Sequence, residues 1–360
     1  MSADPREGAL LLTQGRFSTP DAKTAHGLVR GPSRFRIVGL VDEPGAGRDA
    51  GELLDGRPRG IPTFATLDAA LAGAAERPRW AIVGIATSGG VLPPDFRALL
   101  LAAIERGLGI VNGLHEILAE DPEFARAAAR AGVELVDLRR PKPRRELHFW
   151  SGAIRSVRAP RLAVLGTDCA LGKRTTCQVL AETCRRAGID AAIVATGQTG
   201  WLQGIAHGFR LDATPNDFVP GELEHAIVEC DRDLAPDLIL LEGQSALRNP
   251  AGPCGAELLL SGEARGVVLQ HAPARRCFDE QEELGNEIPP LAEEIALIGF
   301  YRARVLGVAL NHAGLAESRR ESTRAAIAHE TGLPVVYPLL EGADALLPAI
   351  RDYLAAEGRR

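Results

Sequence analysis

The sequence predicts a two-domain α/β protein with a parallel β-sheet in each domain. Three observations predict this architecture. The chain has 360 residues, which exceeds one typical domain. Short apolar runs alternate with helical stretches in both halves, as in doubly wound parallel sheets. A basic, proline-containing segment, residues 139–161, interrupts the alternation, so we place the domains at residues 1–150 and 151–360.

The N-terminal half contains short apolar runs that are typical of strands buried on both faces. These runs are Ala9–Leu12, Phe35–Val41, Trp80–Ala86, Gly109–Val111 and Val133–Leu138. Helical spacing of Ala, Leu and Arg predicts helices at Leu67–Ala75, Phe96–Arg106 and Pro122–Ala131. No G-x-G-x-x-G follows the first run, so NAD is not an expected ligand, although Asp42 is of the type that binds a ribose.

The C-terminal half restarts the alternation after the basic segment. It predicts strands at Leu162–Leu165, Ala191–Ala195, Leu238–Leu241, Val267–Leu269, Val305–Leu310 and Val335–Tyr337. It predicts helices at Lys173–Ala187, Glu222–Glu229, Ala256–Ser261 and Ser318–Thr331. The segment 196–220 is long for a connection and rich in Gly, Thr, Asp and Pro, which is typical of a functional loop.

Composition narrows the partners of this protein. A net charge of -6 and a pI of about 5.8 argue against a general nucleic-acid binder. The six cysteines form no C-x-x-C pair and no zinc-ligand spacing, so we expect free thiols and no bound metal. No apolar run is long enough for a signal peptide or a membrane span. We therefore expect a cytoplasmic homo-oligomer whose ligands are small molecules.

The clearest motif is a phosphate-binding loop at the start of the C-terminal domain. An apolar strand runs into Gly166 and Thr167, and Gly172 and Lys173 precede a helix. In this strand–turn–helix context, backbone N–H groups and the positive end of the helix dipole attract an anion. Lys173 adds a mobile charge for the outer phosphate. The sequence therefore predicts a P-loop.

Two departures from the standard P-loop bear on its ligand. Five residues separate the two glycines where the standard loop has four, and Arg174 occupies the position of the hydroxyl that normally binds Mg²⁺. Thr175 follows one position later, where a helix has turned by about 100°. Magnesium coordination is therefore doubtful, and the sequence leaves acetyl-CoA and ATP open as cofactors.

The loop GTDCALGK resembles the five-spaced P-loop of dethiobiotin synthetase and its P-loop NTPase relatives. Further matches follow in order at Leu240–Leu247, Leu306–Leu315 and Pro334–Gly342. In these relatives the first segment ends in an acidic residue and glycine, and the other two lie near the base. The resemblance implies that Asn311 meets an adenine, for which an amide has both a donor and an acceptor. The alternative for Asn311 is an Asx turn after a strand.

A broader resemblance covers nearly the whole chain. Its motifs are AKTAHGLVR, NGLHEIL, VDLRRP, GTDCALGKRTT, ATGQTG, LEGQSAL and VVLQHAPAR. Together they resemble a family, long described as a domain of unknown function, with a Rossmann-like N-terminal domain joined to a P-loop domain. Members of that family include D-glutamate N-acetyltransferases. The resemblance implies transfer of an acetyl group from acetyl-CoA to the amine of an acidic amino acid.

Several polar residues follow the predicted strands of the C-terminal domain, where ligands bind in open α/β sheets. Glu242 and His271 are candidates for taking a proton from an amine, and Asp168 for positioning the amine or a metal. Each has a structural alternative. Glu242 could stabilise a turn, His271 could be a structural histidine, and Asp168 could hold the loop by accepting backbone N–H groups.

Three further residues are candidate substrate ligands. Gln198 and Thr199 lie in a turn after a strand of the same predicted sheet, where they could contact substrate. The alternative is a tight turn that binds no ligand. Arg275 follows the strand Val267–Leu269 and could hold a substrate carboxylate by two hydrogen bonds.

Three functions remain open from the sequence. The first is N-acyl transfer to an acidic amino acid, with acetyl-CoA held by the P-loop. The second is ATP-dependent activation of a carboxylate or amine, as in dethiobiotin synthetase, with Asp168 and Glu242 holding Mg²⁺. The third is nucleotide binding without turnover.

Overall fold

The computed structural model describes residues 5–357 and divides into two compact units. The first contains the described residues up to Lys142 together with Gln198–Gly204. The second contains Pro143–Gly197 and the described residues from Ile205 onward. The chain therefore changes units between residues 142 and 143, within the basic segment but earlier than the expected position after residue 150.

The first unit is built on a six-stranded parallel sheet. Its strands are β1 (Gly8–Leu12), β2 (Arg36–Val41), β3 (Thr63–Phe64), β4 (Trp80–Val83), β5 (Gly109–Asn112) and β6 (Leu135–Asp137). Its helices are α1 (Lys23–Arg30), α2 (Ala50–Asp55), α3 (Leu67–Gly73), α4 (Pro94–Glu105) and α5 (Pro122–Ala131). The strand order β3-β2-β1-β4-β5-β6 is that of the dinucleotide-binding Rossmann fold.

Local sequence explains several boundaries in this unit. All five residues of β1 are buried, because β1 lies at the centre of the sheet with apolar clusters on both faces. Asp49, Thr66 and Asp121 cap the first N–H groups of α2, α3 and α5 with their side chains. Gly132 ends α5 in the left-handed conformation.

Asp42 supports the loop after β1. It is buried, and its Oδ1 accepts hydrogen bonds from the Thr13 hydroxyl at 2.7 Å and from the Phe17 N–H at 3.1 Å. The oxygen is therefore occupied by the protein's own loop rather than directed to a ribose.

The second unit contains a seven-stranded parallel sheet of order β13-β12-β11-β7-β10-β8-β9. Its strands are β7 (Arg161–Gly166), β8 (Ala191–Ala195), β9 (His207–Gly208), β10 (Leu238–Glu242), β11 (Gly266–His271), β12 (Arg304–Leu310) and β13 (Val335–Val336). The helices that follow β7 in the chain are α6 (Lys173–Arg186), α7 (Gln198–Leu202), α8 (Val219–Leu234), α9 (Ala256–Leu260), α10 (Leu291–Phe300), α11 (Glu317–Thr331), α12 (Pro338–Glu341) and α13 (Leu347–Glu357).

Short 3-10 helices complete the two units. They are Pro20–Ala22, Glu43–Gly45, Ser88–Gly90, Leu118–Glu120, Arg144–Glu146, Ala153–Ser156, Leu211–Ala213, Asn216–Phe218 and Asp344–Leu346. The predicted fold class, two parallel-sheet α/β domains, is confirmed. No helix within residues 5–357 is long and apolar enough to cross a membrane.

The strand that leads into the P-loop lies inside the sheet of the second unit. β7 pairs with β10 on one side and with β11 on the other. Because all three strands are parallel, their carboxyl ends lie at the same edge of the sheet. Gly166, Glu242 and His271 are the last residues of these three strands, so the fold itself brings the ends of the candidate segments together.

Helix α7 belongs to the first unit although its neighbours in sequence belong to the second. Leu202 packs into an apolar cluster of the first unit. The Gln203 amide donates to the Gly27 carbonyl at 2.8 Å, and Arg34 donates to the carbonyls of Trp201 and Leu202. Residues 198–204 are thus an integral part of the first unit's core.

Residues 148–159, which the sequence places in a connector, are fixed to α8 by buried carboxylates. Glu224 accepts hydrogen bonds from the backbone and hydroxyl of Ser151 and from the Ile154 N–H. Glu222 accepts from the His148 N–H, and Asp231 from the Ala159 N–H. Each carboxylate satisfies backbone groups in a segment without regular hydrogen bonding.

We expect Glu224→Ala to lower the free energy of unfolding by about 3 kcal/mol, because the buried Ile154 N–H and two donors of Ser151 lose a charged acceptor. The measurement is urea denaturation of the full chain. Glu229→Ala on the same helix is the matched control, since Glu229 pairs with Arg232 at the surface and its loss should cost below about 1 kcal/mol. Equal losses for the two variants would show that Glu224 does not fix the connector.

Candidate functional site

The P-loop connects β7 to α6 and has the backbone conformation that its glycines predict. Gly172 has φ of +100° and forms the N-cap of α6, and Lys173 is the first residue of that helix. Ala170, inside the loop, also has a positive φ of 52°. The predicted sequence of strand, glycine-bounded turn, lysine and helix is therefore present in the structure.

The side chain of Lys173 turns back over the loop. Its Nζ donates to the carbonyl oxygens of Asp168 at 2.7 Å and Ser245 at 2.8 Å. A Cβ at Gly166 would lie 3.1 Å from the Lys173 Nζ, and one at Gly243 would lie 2.3 Å from the Val164 carbonyl. Gly243 is therefore required by the space that the strand backbone occupies, whereas a side chain at Gly166 would press against the Lys173 side chain. Burial lowers the pKa of Lys173.

Asp168 is the most highly connected carboxylate of the site. Its side chain is fully buried. One oxygen accepts from the Cys169 N–H at 2.6 Å and the Asn249 amide at 3.2 Å. The other accepts from Arg275 at 2.7 Å and from the Asp279 N–H at 2.8 Å. Asp168 therefore joins the P-loop to the segments that follow β10 and β11.

The Asp168 contacts continue as a chain of side-chain amides. Asn249 accepts a hydrogen bond from Gln281 at 2.9 Å, and Gln281 accepts one from Asn286 at 2.9 Å. Arg275 also donates to the Cys169 carbonyl at 2.9 Å. The same Arg275 nitrogen thus donates hydrogen bonds to Asp168 and to the P-loop backbone. The expected contact of Arg275 with a substrate carboxylate stays a prediction.

Glu242, at the end of β10, has a different environment. It is 5% exposed, and its Oε2 accepts from the Thr196 N–H at 3.1 Å. Its backbone carbonyl accepts from the Thr196 hydroxyl at 2.8 Å. Burial raises the pKa of Glu242, although the charges of Arg174 and Lys173 oppose that shift. Glu242 is therefore a better proton acceptor than an ordinary carboxylate.

The residues that follow Lys173 in α6 interact with two different strand ends, those of β10 and β11. The charge of Arg174 acts on Glu242, and burial lowers the pKa of Arg174. The hydroxyl of Thr176 donates to the Gln270 side chain at 2.5 Å. Thr175 is half-buried. Its expected role at a phosphate stays a prediction.

His271 lies at the end of β11, beside the P-loop. Its Nδ1 is 2.9 Å from the Thr167 hydroxyl, and its backbone carbonyl accepts from the Asn311 N–H at 2.8 Å. Burial lowers the pKa of His271 to about 4. The imidazole is therefore neutral at pH 7, and it is a weak base.

Asn311 contacts the P-loop backbone. Its amide donates to the Leu171 carbonyl at 3.1 Å, and its carbonyl oxygen accepts from the Ala313 N–H at 2.9 Å. The second contact is the Asx turn that the sequence allows as the alternative. Recognition of an adenine by this residue stays a prediction.

Most of the predicted residues lie in the second unit, and two of them belong to the first. Asp168, Lys173, Glu242, His271 and Arg275 belong to the second unit, whereas Gln198 and Thr199 belong to the first. In the first unit a Cβ at Gly113 would lie 3.1 Å from the Gln198 side chain. The expected contact of these two residues with substrate stays a prediction.

Several residues of the network are not recognisable from the sequence. They are Thr196, Ser245, Asn249, Gln270, Asp279 and Gln281. Of these residues, Thr196 has one signal in the sequence that marks it as a site residue, which is its position directly after the strand Ala191–Ala195. In the described part of the chain, no group of three or more His, Cys, Asp or Glu side chains could hold a metal ion.

Comparisons with known proteins match both units. Residues 148–347 match the model described as "Domain of unknown function (DUF1611_C) P-loop domain". Residues 43–141 match "Domain of unknown function (DUF1611_N) Rossmann-like domain".

The curated relatives share a name. A D-glutamate N-acetyltransferase of Tritonibacter scottomollicae is 29% identical over 320 residues, covering 87% of this chain and 89% of the relative. Another of that name from a Pseudoalteromonas species is 28% identical over 278 residues, covering 74% and 79%.

A solved structure extends the similarity to the fold. The crystal structure of a DUF1611 family protein from Anabaena variabilis is 30% identical, with a TM-score of 0.86. The similarity covers 96% of this chain and 99% of that one.

The lowered pKa of His271 makes stability depend on pH. Between pH 6.5 and about 4 the unfolded histidine binds a proton that the folded one does not, so acidification lowers the free energy of unfolding. We expect the wild type to lose up to about 3 kcal/mol more than His271→Gln between pH 7 and pH 4. Denaturant titrations at several pH values measure this difference. His329→Gln, at an exposed position, should parallel the wild type; parallel curves for His271→Gln would refute the expectation.

Proposed function

Since the chain belongs to the DUF1611 family, we propose that it is an N-acetyltransferase that moves an acetyl group from acetyl-CoA to the amine of an acidic amino acid such as D-glutamate. The observation that carries the proposal is the position of two groups at one edge of the sheet. The P-loop with Lys173 follows β7, and Glu242, a buried carboxylate of raised pKa, ends the adjacent strand β10. Both relatives named for this activity align over most of the chain.

The P-loop supports the role of coenzyme A as the phosphate-bearing cofactor. Backbone N–H groups at the start of α6 and the Lys173 ammonium suit a phosphate. Arg174 replaces the hydroxyl that would bind Mg²⁺ in a standard P-loop. Asp168, one of the two carboxylates expected to hold Mg²⁺ in the ATP-dependent alternative, accepts four hydrogen bonds from the protein. These contacts favour a cofactor whose binding does not depend on Mg²⁺.

Glu242 is the group best suited to take the proton from the attacking amine. An efficient general base has a pKa near the working pH, and burial shifts the pKa of Glu242 upwards in that direction. Burial shifts the pKa of His271 down to about 4, which makes that imidazole a weaker base. We assign the base to Glu242, and to His271 the positioning of Thr167 in the P-loop.

The proposed reaction is a single acyl transfer. The neutral amine of the amino acid attacks the thioester carbonyl of acetyl-CoA, so that a C–N bond forms and the C–S bond breaks. The amine loses a proton to Glu242, and the sulfur of coenzyme A leaves as a thiolate that takes up the proton which Glu242 then releases. The products are the N-acetyl amino acid and free coenzyme A.

We expect Glu242→Gln to lower kcat by about 100- to 10,000-fold, which is the usual contribution of a general base. The measurement is release of free thiol from acetyl-CoA with D-glutamate, L-glutamate and a panel of small amino acids. Glu182→Gln, on the exposed side of α6, is the matched control and should retain wild-type activity. No release by the wild type with any acceptor would contradict the proposed function, and retained activity of Glu242→Gln would contradict the base.

The P-loop assignment predicts a direct effect on cofactor binding. We expect Lys173→Ala to weaken coenzyme A binding by about 10- to 100-fold, because one charge-assisted contact to phosphate is lost. Isothermal titration with coenzyme A, dephospho-coenzyme A and ATP, each with and without Mg²⁺, measures it. The control is Lys142→Ala, an exposed residue of the first unit. Tight, Mg²⁺-dependent binding of ATP with no binding of coenzyme A would point instead to ATP-dependent activation.

A further inference from the structure

The second unit contains a cleft of about 300 Å³ that shares His271 and Arg275 with the network around the P-loop. This volume is at the lower end of the range for sites that bind small molecules. The remaining wall comes from the segment after β11, from the first residue of α10 and from α11. Residues that bear on the argument are Arg276, Glu287, Leu291, Ile327 and Glu330.

The charges of the cleft suit a zwitterion with an additional carboxylate. Arg275 and Arg276 bring positive charge, and Glu287 and Glu330 bring negative charge. His271 is neutral at pH 7, because its pKa is about 4. An acidic amino acid has an ammonium group and two carboxylates, so it can pair with groups of both signs.

Arg276 is the arginine that is able to change partners. Arg275 is held by the fully buried Asp168 and by the Cys169 carbonyl. Within residues 5–357 the Arg276 guanidinium forms its ion pair with Glu287, and the two side chains are 82% and 57% exposed. An exposed ion pair contributes little net free energy. A ligand carboxylate can therefore replace Glu287 at small cost.

The backbone fixes the position of this pair even though its side chains are exposed. Cys277 and Glu287 form an antiparallel bridge. The Ile288 N–H donates to the Arg276 carbonyl at 2.8 Å. The backbone of both charged residues thus lies in a short paired segment, in which Cys277 is opposite Glu287 and Ile288 is opposite Arg276. This pairing limits the conformational entropy that is lost on binding.

An apolar wall lies beside the charged edge. Ile288, Leu291 and Ile327 contribute side chains to the cleft, and Leu291 and Ile327 belong to the core of the unit. Such a surface suits the methylene groups of an acidic side chain rather than a second phosphate.

We infer that this cleft binds the acidic amino acid that accepts the acetyl group, and that Arg276 determines specificity by holding one of its carboxylates in place of Glu287. The inference rests on the proposed function. The bound carboxylate takes the guanidinium face that Glu287 occupies in the free protein. His271 and Arg275 then lie beside both the cofactor at the P-loop and the acceptor in the cleft. The two ligands are therefore adjacent within the second unit.

The test compares Arg276→Gln with Arg276→Lys, Glu287→Gln and the wild type. Arg319→Gln, at an exposed position of α11, is the matched control. Initial rates give the KM for D-glutamate, the KM for acetyl-CoA and kcat, and titration calorimetry gives the binding of D-glutamate in the presence of coenzyme A. Thermal melting checks that each variant is folded.

For Arg276→Gln we expect the KM for D-glutamate to rise about fivefold, because a charge-assisted contact at an exposed arginine is lost. The kcat and the KM for acetyl-CoA should stay within about twofold of the wild type, as expected when uniform binding is removed. Arg276→Lys should recover part of the loss, since it retains the charge without the paired donors. Glu287→Gln should leave or lower the KM for D-glutamate, and Arg319→Gln should change nothing.

The outcomes separate the inference from the proposed function. If the wild type transfers acetyl and Arg276→Gln leaves the KM for D-glutamate unchanged, the inference is overturned while the function stands. If that variant raises the KM for acetyl-CoA instead, the cleft takes the acyl donor and the inference is again overturned. If no transfer occurs but D-glutamate binds and Arg276→Gln abolishes binding, the cleft is supported and the acetyl transfer fails.

Discussion

The buried carboxylate of Asp168 is the constraint on which the rest of the site depends. A charge removed from water is stable only when hydrogen bonds and an opposite charge replace the solvent. Asp168 obtains both from three segments, through the Cys169 N–H, the Asn249 amide, and Arg275 with the Asp279 N–H. The P-loop is therefore shaped by its neighbours before any phosphate arrives.

The two carboxylates at the ends of this network have different environments and hence different chemistry. Asp168 has donors on both oxygens, whereas the Glu242 carboxylate accepts from the Thr196 N–H and is also stabilised by the backbone of Gly197. Lys173 lies between them, with its ammonium on the Asp168 and Ser245 carbonyls. Hydrogen bonds make Asp168 a structural group, and incomplete compensation of burial leaves Glu242 with a raised pKa. Environment rather than residue type thus distinguishes the two carboxylates.

Much of the fold could be predicted because the strands are buried on both faces and therefore read as apolar runs. Gly8–Leu12 and Arg161–Gly166 are examples. Thr63–Phe64 and His207–Gly208 escape detection because a two-residue strand has no period. Helix α1 contains Gly27 and β-branched residues, which weaken the helical signal.

The predictable part of the site is the part encoded in contiguous residues. The P-loop follows from the spacing of Gly166, Gly172 and Lys173. The contact of Asp168 with Arg275 joins residues 107 positions apart, and the packing of Gln203 against Gly27 joins residues 176 apart. Such contacts depend on tertiary structure, so the assignment of residues 198–204 to the first unit could not be made from local pattern.

The first unit shows why topology alone does not assign a ligand. Its strand order is that of dinucleotide-binding domains, and Asp42 follows β2, where an acidic residue can bind a ribose. In this chain the loop after β1 folds over that position, because Asp42 accepts hydrogen bonds from Thr13 and from the N–H of the buried Phe17. In this fold Asp42 thus stabilises the loop after β1, which lacks the glycine motif of dinucleotide-binding domains. The function of the protein must accordingly be argued from the P-loop unit, where the charged groups and the cleft lie.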